Sequence, residues 1–160
     1  MLLPLELFVM LVVANGAPVV VARLFRQQGS WPVDGGRLLG DGRPVFGPSK
    51  TWRGLLASVL SCSLFALWVG LGWVFGALFG LLAMSGDLLS SFVKRRMGLK
   101  ASARATWLDQ LPEGVLPMLL AWLWLPVPGW LAMAVAVLFA LSNILISPLL
   151  YRLGIRSQPH

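Results

Sequence analysis

A chain of 160 residues that is 58% hydrophobic and 12% charged, with a mean hydropathy of +0.80, is too apolar for a water-soluble domain. Thirteen Lys and Arg against six Asp and Glu leave a net charge of +7, and a lone Cys62 and a lone His160 exclude disulfide scaffolds, cysteine or histidine metal clusters and Ser-His or Cys-His catalysis. What remains is an all-α integral membrane protein, a single domain over residues 1–160, with room for about five helices at roughly 20 residues per span.

The hydropathy pattern places spans at about 4–24, 54–69, 73–93, 108–125 and 130–151. Drawn this way, every basic residue falls on one side: Arg23 and Arg26; Arg37, Arg43, Lys50 and Arg53; Lys94, Arg95, Arg96, Lys100 and Arg104; Arg152 and Arg156. The positive-inside rule makes that side the cytosol, with the N-terminus outside, and the location a cell (inner) membrane crossed several times. The first apolar stretch has no basic residue before it and two just after it, the reverse of a cleaved signal peptide, so it is expected to stay as a span.

In that first span Asn15-Gly16-Ala17-Pro18 predicts a kink near mid-depth, because Pro18 lacks an amide proton and clashes with the carbonyl four residues back. Asn15 then has two readings, a bond to a neighbouring helix or a reach toward a polar ligand. Residues 25–53 form a glycine-rich cytosolic loop, with turn formers at Asp34-Gly35-Gly36 and Gly40-Asp41-Gly42. Gly47-Pro48-Ser49-Lys50-Thr51 within it combines backbone donors, a Lys, a hydroxyl and a following helix N-terminus, the ingredients of a phosphate cradle. It is not a Walker A loop, since Ser49 stands where Gly should precede the Lys, and a plain surface loop anchored by Lys50 and Arg53 reads equally well.

The second span carries Gly54, Ser58 and Ser61 on one side, and a turn at 70–72 leads to the third. There the helical repeat puts Asp87, Ser90, Ser91 and Lys94 on one face, continuous with Ala83, Gly80, Gly76 and Gly72. Small residues at this spacing let another helix approach closely, which turns Asp87 inward, and they are equally available to a homodimer contact. Asp87 is either a functional carboxylate or the partner of Lys94 or Arg95 in a helix-holding ion pair. Past a basic loop, Pro112 suits the first turn of the fourth helix and Asp109 its N-terminal cap. Asn143 and Ser147 on the fifth read as interhelical hydrogen-bonding groups.

The inventory is therefore hard oxygen donors beside cations at a membrane surface. Asp87 and Asp109 suit Mg²⁺, and Lys50, Arg53, Lys94 and Arg95 suit phosphate oxygens. Together they point to phosphoryl or nucleotidyl transfer. A non-enzymatic membrane protein that binds or moves anionic lipids on its cationic rim is the alternative.

Gly47-Pro-Ser-Lys50-Thr51-Trp52-Arg53-Gly54, Gly86-Asp87-Leu-Leu-Ser-Ser91-Phe92-Val-Lys94-Arg95-Arg96 and Leu108-Asp109-Gln110, in this order and spacing, resemble the CDP-archaeol synthases, short relatives of the CDP-diacylglycerol synthases. The loop segments around Asp34 and Asp41, and Asn15 with Pro18, are similar to the same family. The resemblance implies a five-helix enzyme that uses CTP and Mg²⁺ to convert a lipid phosphate, isoprenoid-ether or diacyl, to its CDP derivative with release of pyrophosphate, and no nucleic-acid partner. It implies metal at Asp87 and Asp109. It also implies nucleotide phosphates at Lys50, Thr51 and Arg53, and phosphate at Lys94 and Arg95, with Asn15 and Ser91 as further substrate contacts. Asp87, Lys94 and Asp109 would be the catalytic set. The pattern departs at Pro112, where the family commonly has a second aspartate; the resemblance then implies Glu113, one step on, as the substitute metal ligand. A groove between the kinked first helix and the glycine-faced third is expected to admit the lipid from the bilayer.

Overall fold

The computed structural model describes residues 2–26, 28–99 and 105–152, apart from the side chains of 106 and 146–152. Lys100, Arg104, Arg156 and His160 lie outside the described residues, as do the side chains of Ser147 and Arg152. Five helices follow one another: α1 (Leu3–Phe25), α2 (Trp52–Trp68), α3 (Trp73–Arg96), α4 (Thr106–Trp124) and α5 (Gly129–Arg152). Among the described residues the only β pairing is two single bridges, Pro32 with Thr51 and Leu38 with Pro44. α1 and α3 are long and apolar enough to cross a bilayer, and α2 and the 129–145 stretch of α5 are shorter apolar helices.

The helix ends follow local chemistry. Pro4 opens α1, where a missing amide proton costs nothing, and Glu6 and Arg23 sit at the ends whose dipoles they complement. The Thr51 hydroxyl accepts the Gly54 amide at 3.2 Å and caps α2. Gly70 and Gly72, at φ +80° and +86°, make the tight turn into α3 that a residue with a Cβ would resist. Lys94, Arg95 and Arg96 fill the last turn of α3.

α3 packs between α2 and α4, and α1 lies against α2, α3, α4 and α5. The small residues of α3 set how close its neighbours come. A Cβ at Gly76 would lie 2.3 Å from the Cys62 carbonyl oxygen, and one at Gly80 would lie 2.9 Å from that of Ser58. Gly86 does the same toward α4, where a Cβ would fall 2.2 Å from the Pro112 carbonyl oxygen. Phe75, Phe79, Met118 and Phe139 fill the centre. Away from the core, Leu56, Leu60, Leu64 and Trp68 form an outward stripe on α2, between 55% and 81% exposed, as a lipid-facing surface requires.

α1 runs continuously through Pro18, which lies against Gly54 in the first turn of α2. Three expectations change. On the glycine face of α3, Gly76 and Gly80 are filled by α2 rather than open beside α1, and Gly86, on another side of the helix, meets α4. An apolar cleft of about 170 Å³ lies instead between α4 and α5, lined by Val115, Met118, Trp122, Ala132 and Ala136 among others. Pro112 falls well inside α4, because the helix begins at Thr106. On α2, the small residues serve two partners: Gly54 faces α1 and Ser58 faces α3.

Candidate active site

The loop before α2 is organised by Asp34. Its carboxylate is buried, 9% exposed, and accepts backbone amides from Gly36 at 3.0 Å and from Phe46 and Gly47 at 2.9 Å each. Burial works to raise this carboxyl, but the Gly47, Phe46 and Gly36 amides outweigh it and hold it below the ordinary carboxylate value. Gly47 adopts φ +100°, which presents its amide to Asp34, and the Lys50 amide closes a turn on the Gly47 carbonyl at 3.2 Å. The adjoining Val33 amide bonds the Lys50 carbonyl at 2.8 Å. Two of the backbone donors that make the segment look like a phosphate cradle are thus already engaged, the Gly47 amide by the Asp34 carboxylate and the Lys50 amide by the Gly47 carbonyl. What the loop delivers is Lys50.

The Lys50 ammonium reaches both oxygens of Asp87, at 2.7 and 2.6 Å, and ties the loop to α3. A second pair joins α3 to α4, Lys94 Nζ to Asp109 Oδ1 at 2.7 Å. Asp109 also accepts the Ala105 amide at 3.1 Å, so it steadies the start of α4 while facing α3. Gly86 touches Pro112, Asp87 follows Gly86, and Asp109 precedes Pro112 by three residues, about 4.5 Å of helical rise. The two carboxylates therefore flank one helix crossing at one end of the bundle. Their side chains are 25% and 27% exposed, open enough for a ligand to reach.

Above them the loop is latched to the end of α3. Arg43 donates to the Arg96 carbonyl at 2.8 Å and covers Gly98, at φ +75°, where an added Cβ would lie 3.0 Å from the guanidinium. Arg96 answers with bonds to Asp41 and to the Pro44 carbonyl, each at 2.6 Å, and stacks over Phe92, 5.4 Å from the ring centre. Desolvation at Asp41 is outweighed by the Arg43 amide and Arg96, which keep its carboxyl below the usual range.

The remaining predicted residues divide. Lys94, Arg95 and Ser91 are buried at the same end of α3. Thr51 is engaged as the α2 cap, and Arg53 donates to the carbonyls of Gln28 and Arg26 at the end of α1. Asn15 turns back on its own helix, donating to the Leu11 carbonyl at 3.0 Å. The ion-pair partner of Asp87 is Lys50 rather than Lys94 or Arg95. Glu113 is half-buried beside the Gly86 contact. Sequence reasoning passed over Asp34, Asp41, Arg43 and Arg96 as site-building groups; the Asp-Gly turn signatures were the available signal for the first two. Gln110 Oε1 beside Asp109 is buried and, among the described residues, accepts no hydrogen bond.

Among the described residues no three of His, Cys, Asp and Glu come together. Two half-exposed carboxylates on adjacent helices nevertheless fit a magnesium ion, which takes one or two protein carboxylates and completes its shell with water and phosphate oxygens.

A solved structure described as an intramembrane enzyme for archaeal membrane lipid biosynthesis superimposes with a TM-score of 0.72 at 33% identity, covering 88% of this chain and 89% of that one. Fold and likeness together define the class, a membrane enzyme of lipid biosynthesis. The CDP-archaeol synthase of Hyperthermus butylicus is 42% identical over 120 residues, covering 69% of this chain and 68% of its own. That of Methanopyrus kandleri is 39% identical over 140 residues, covering 82% and 80%. A family profile described as CarS-like, CDP-archaeol synthase, matches residues 68–160. The chain belongs to the CDP-archaeol synthase family.

Proposed function

We propose that the protein transfers the cytidylyl group of CTP to a membrane lipid phosphate, forming a CDP-lipid and releasing pyrophosphate, with Mg²⁺ as cofactor. The observation that carries this reading is the pair of inter-element contacts, Lys50 to Asp87 and Lys94 to Asp109, which gather two acids and two cations at one end of the bundle in a member of this family. The relatives' name favours an isoprenoid-ether glycerol phosphate over a diacyl one.

The chemistry matches what the chain has and lacks. A phosphate monoester has a second pKa of about 6, so at neutral pH it is largely a dianion with no proton to remove before attack. One of its oxygens bonds to the α-phosphorus of CTP; the bond to the β-phosphate breaks, and pyrophosphate leaves with the electron pair. Two anions must be brought together, and Lys50, Lys94 and Arg95 supply the opposing charge, gathered at the site before the substrates arrive. Mg²⁺ held by Asp87 and Asp109 would supply further charge neutralisation and polarise the triphosphate. The cleft between α4 and α5 begins at Val115, six residues or about 9 Å of helix beyond Asp109, so lipid tails can lie along it in hydrocarbon while the phosphate stays at the polar end. The basic end faces the cytosol, where CTP is found, and the N-terminus lies outside.

The test is pyrophosphate release by the purified protein in Mg²⁺. We expect release only when CTP and a long-chain lipid phosphate are both present, a loss of about 100-fold or more in Asp87→Asn, and full activity in Cys62→Ala. Equal activity of the two variants removes Asp87 from the site. Binding of anionic lipid with no pyrophosphate from any lipid phosphate in a panel of ether and ester tails favours the lipid-binding alternative.

A further inference from the structure

Asp87 already holds a cation. Lys50 Nζ sits in front of both carboxylate oxygens, at 2.7 and 2.6 Å, the position a divalent ion shared by those oxygens would take. Asp109 is likewise held by Lys94, and Arg95 is buried at the same end of α3, 6% exposed. Two ammonium groups against two carboxylates make the set neutral. A bare divalent ion would add two positive charges beside Arg95, and among the described residues it would find no third acidic, histidine or cysteine ligand to complete a site. A divalent ion bound to a nucleoside triphosphate brings net negative charge instead. It also brings phosphate oxygens to fill the ion's shell and to receive the displaced ammonium.

Lys50 is built for such an exchange. Its backbone is pinned on both sides, by its own amide to the Gly47 carbonyl and by the Val33 amide to its carbonyl, so only the side chain has to move. That side chain is 23% exposed, at the solvent edge of the site. We infer that Lys50 is a resident stand-in for the metal at Asp87: it keeps free divalent cation off the carboxylate and yields it only when the ion arrives with a nucleoside triphosphate, whose phosphates then take the ammonium. This rests on the reading of Asp87 as a metal ligand, and the order of binding follows from it. Metal and nucleotide enter together, each raising the affinity for the other by the same factor.

Equilibrium dialysis of Mn²⁺ against the full-length protein in nanodiscs of zwitterionic lipid, without lipid phosphate so that no turnover occurs, tests this. We expect the native protein to take up one Mn²⁺ per chain with CTP and to bind it at least tenfold more weakly without. Lys50→Gln should gain nucleotide-independent Mn²⁺ binding, Lys50→Arg should not, and Asp87→Asn placed on Lys50→Gln should abolish the gain. Native protein that binds Mn²⁺ equally well with and without CTP overturns the exchange while leaving Asp87 as a metal ligand, and this measurement needs no variant. A Lys50→Gln protein that still takes up Mn²⁺ with CTP but gains nothing in its absence overturns it as well. Absence of Mn²⁺ uptake under every condition overturns the metal reading itself.

Discussion

Asp34 shows how a single carboxylate can decide a loop. Three backbone amides that would otherwise be left without partners converge on it, and through Gly47 and the turn that follows it fixes where Lys50 emerges. Asp34→Asn keeps one acceptor oxygen and turns an amide group toward donors, so we expect a loss of about 1–3 kcal/mol from the loop, read as faster proteolysis between residues 36 and 46 and a lower Tm. The pH dependence has a definite sign. Because the folded carboxyl titrates below its ordinary value, its contribution is complete at neutral pH and is lost only as pH falls through the lowered folded value. Hydrogen exchange of the Phe46 and Gly47 amides should therefore keep constant protection factors from pH 8 to about pH 5 and lose protection below about pH 4. Protection already lost near pH 6 contradicts this assignment. Asp34 could be read from the sequence as a turn former, but its role could not: the amides it holds at Phe46 and Gly47 lie twelve and thirteen residues away, and nothing in a local pattern links them.

At the scale of elements, α3 was the most legible part of the chain. Helical periodicity put Gly72, Gly76 and Gly80 on one face and its acid and base at the same end; α2 approaches at Gly76 and Gly80, while α4 approaches at Gly86, on another side of the helix. Which neighbour fills which stretch was not legible, since GxxxG-like spacing announces a close contact without naming the partner. Asp87 was placed on the correct face for the same reason, while its bond to Lys50 depends on a loop whose path the sequence leaves open. Gly86 tests the packing directly. A methyl group there meets the Pro112 carbonyl oxygen at 2.2 Å, so Gly86→Ala must push α4 away from α3, at a cost of about 1–3 kcal/mol, and should separate Asp109 from Asp87 with a loss of activity. Gly16 in α1 has nothing within 4 Å of an added Cβ among the described residues, so Gly16→Ala should be neutral or gain about 0.5–1 kcal/mol. Thermal unfolding of the two variants should thus move in opposite directions. A fall of the same size in both denies the crossing its special status.

For the molecule as a whole, the sequence revealed the architecture because a bilayer leaves few alternatives: apolar runs must be helices, and basic residues must gather at one end. The orientation drawn from those charges is testable in the Cys62→Ala background. Ser49→Cys should react with an impermeant maleimide only from the cytosolic side and Pro128→Cys only from outside; the reverse pattern inverts the protein in the membrane. The apolar cleft between α4 and α5 was not legible, because these helices read as uniform apolar runs and the gap between them arises from how small residues such as Ala132 and Ala136 face Val115 and Met118.

The central claim is that the carboxylates of α3 and α4 serve one metal-nucleotide complex. Equilibrium binding of CTP in Mg²⁺ to Asp87→Asn, Asp109→Asn and the double variant measures it, because groups that share a ligand are not additive while independent ones are. Each single change should weaken binding by about tenfold or more, and the double should bind about as poorly as the weaker single, a coupling of about 1.4 kcal/mol or more. A double variant whose loss equals the product of the two single losses would show that the two aspartates act on separate ligands.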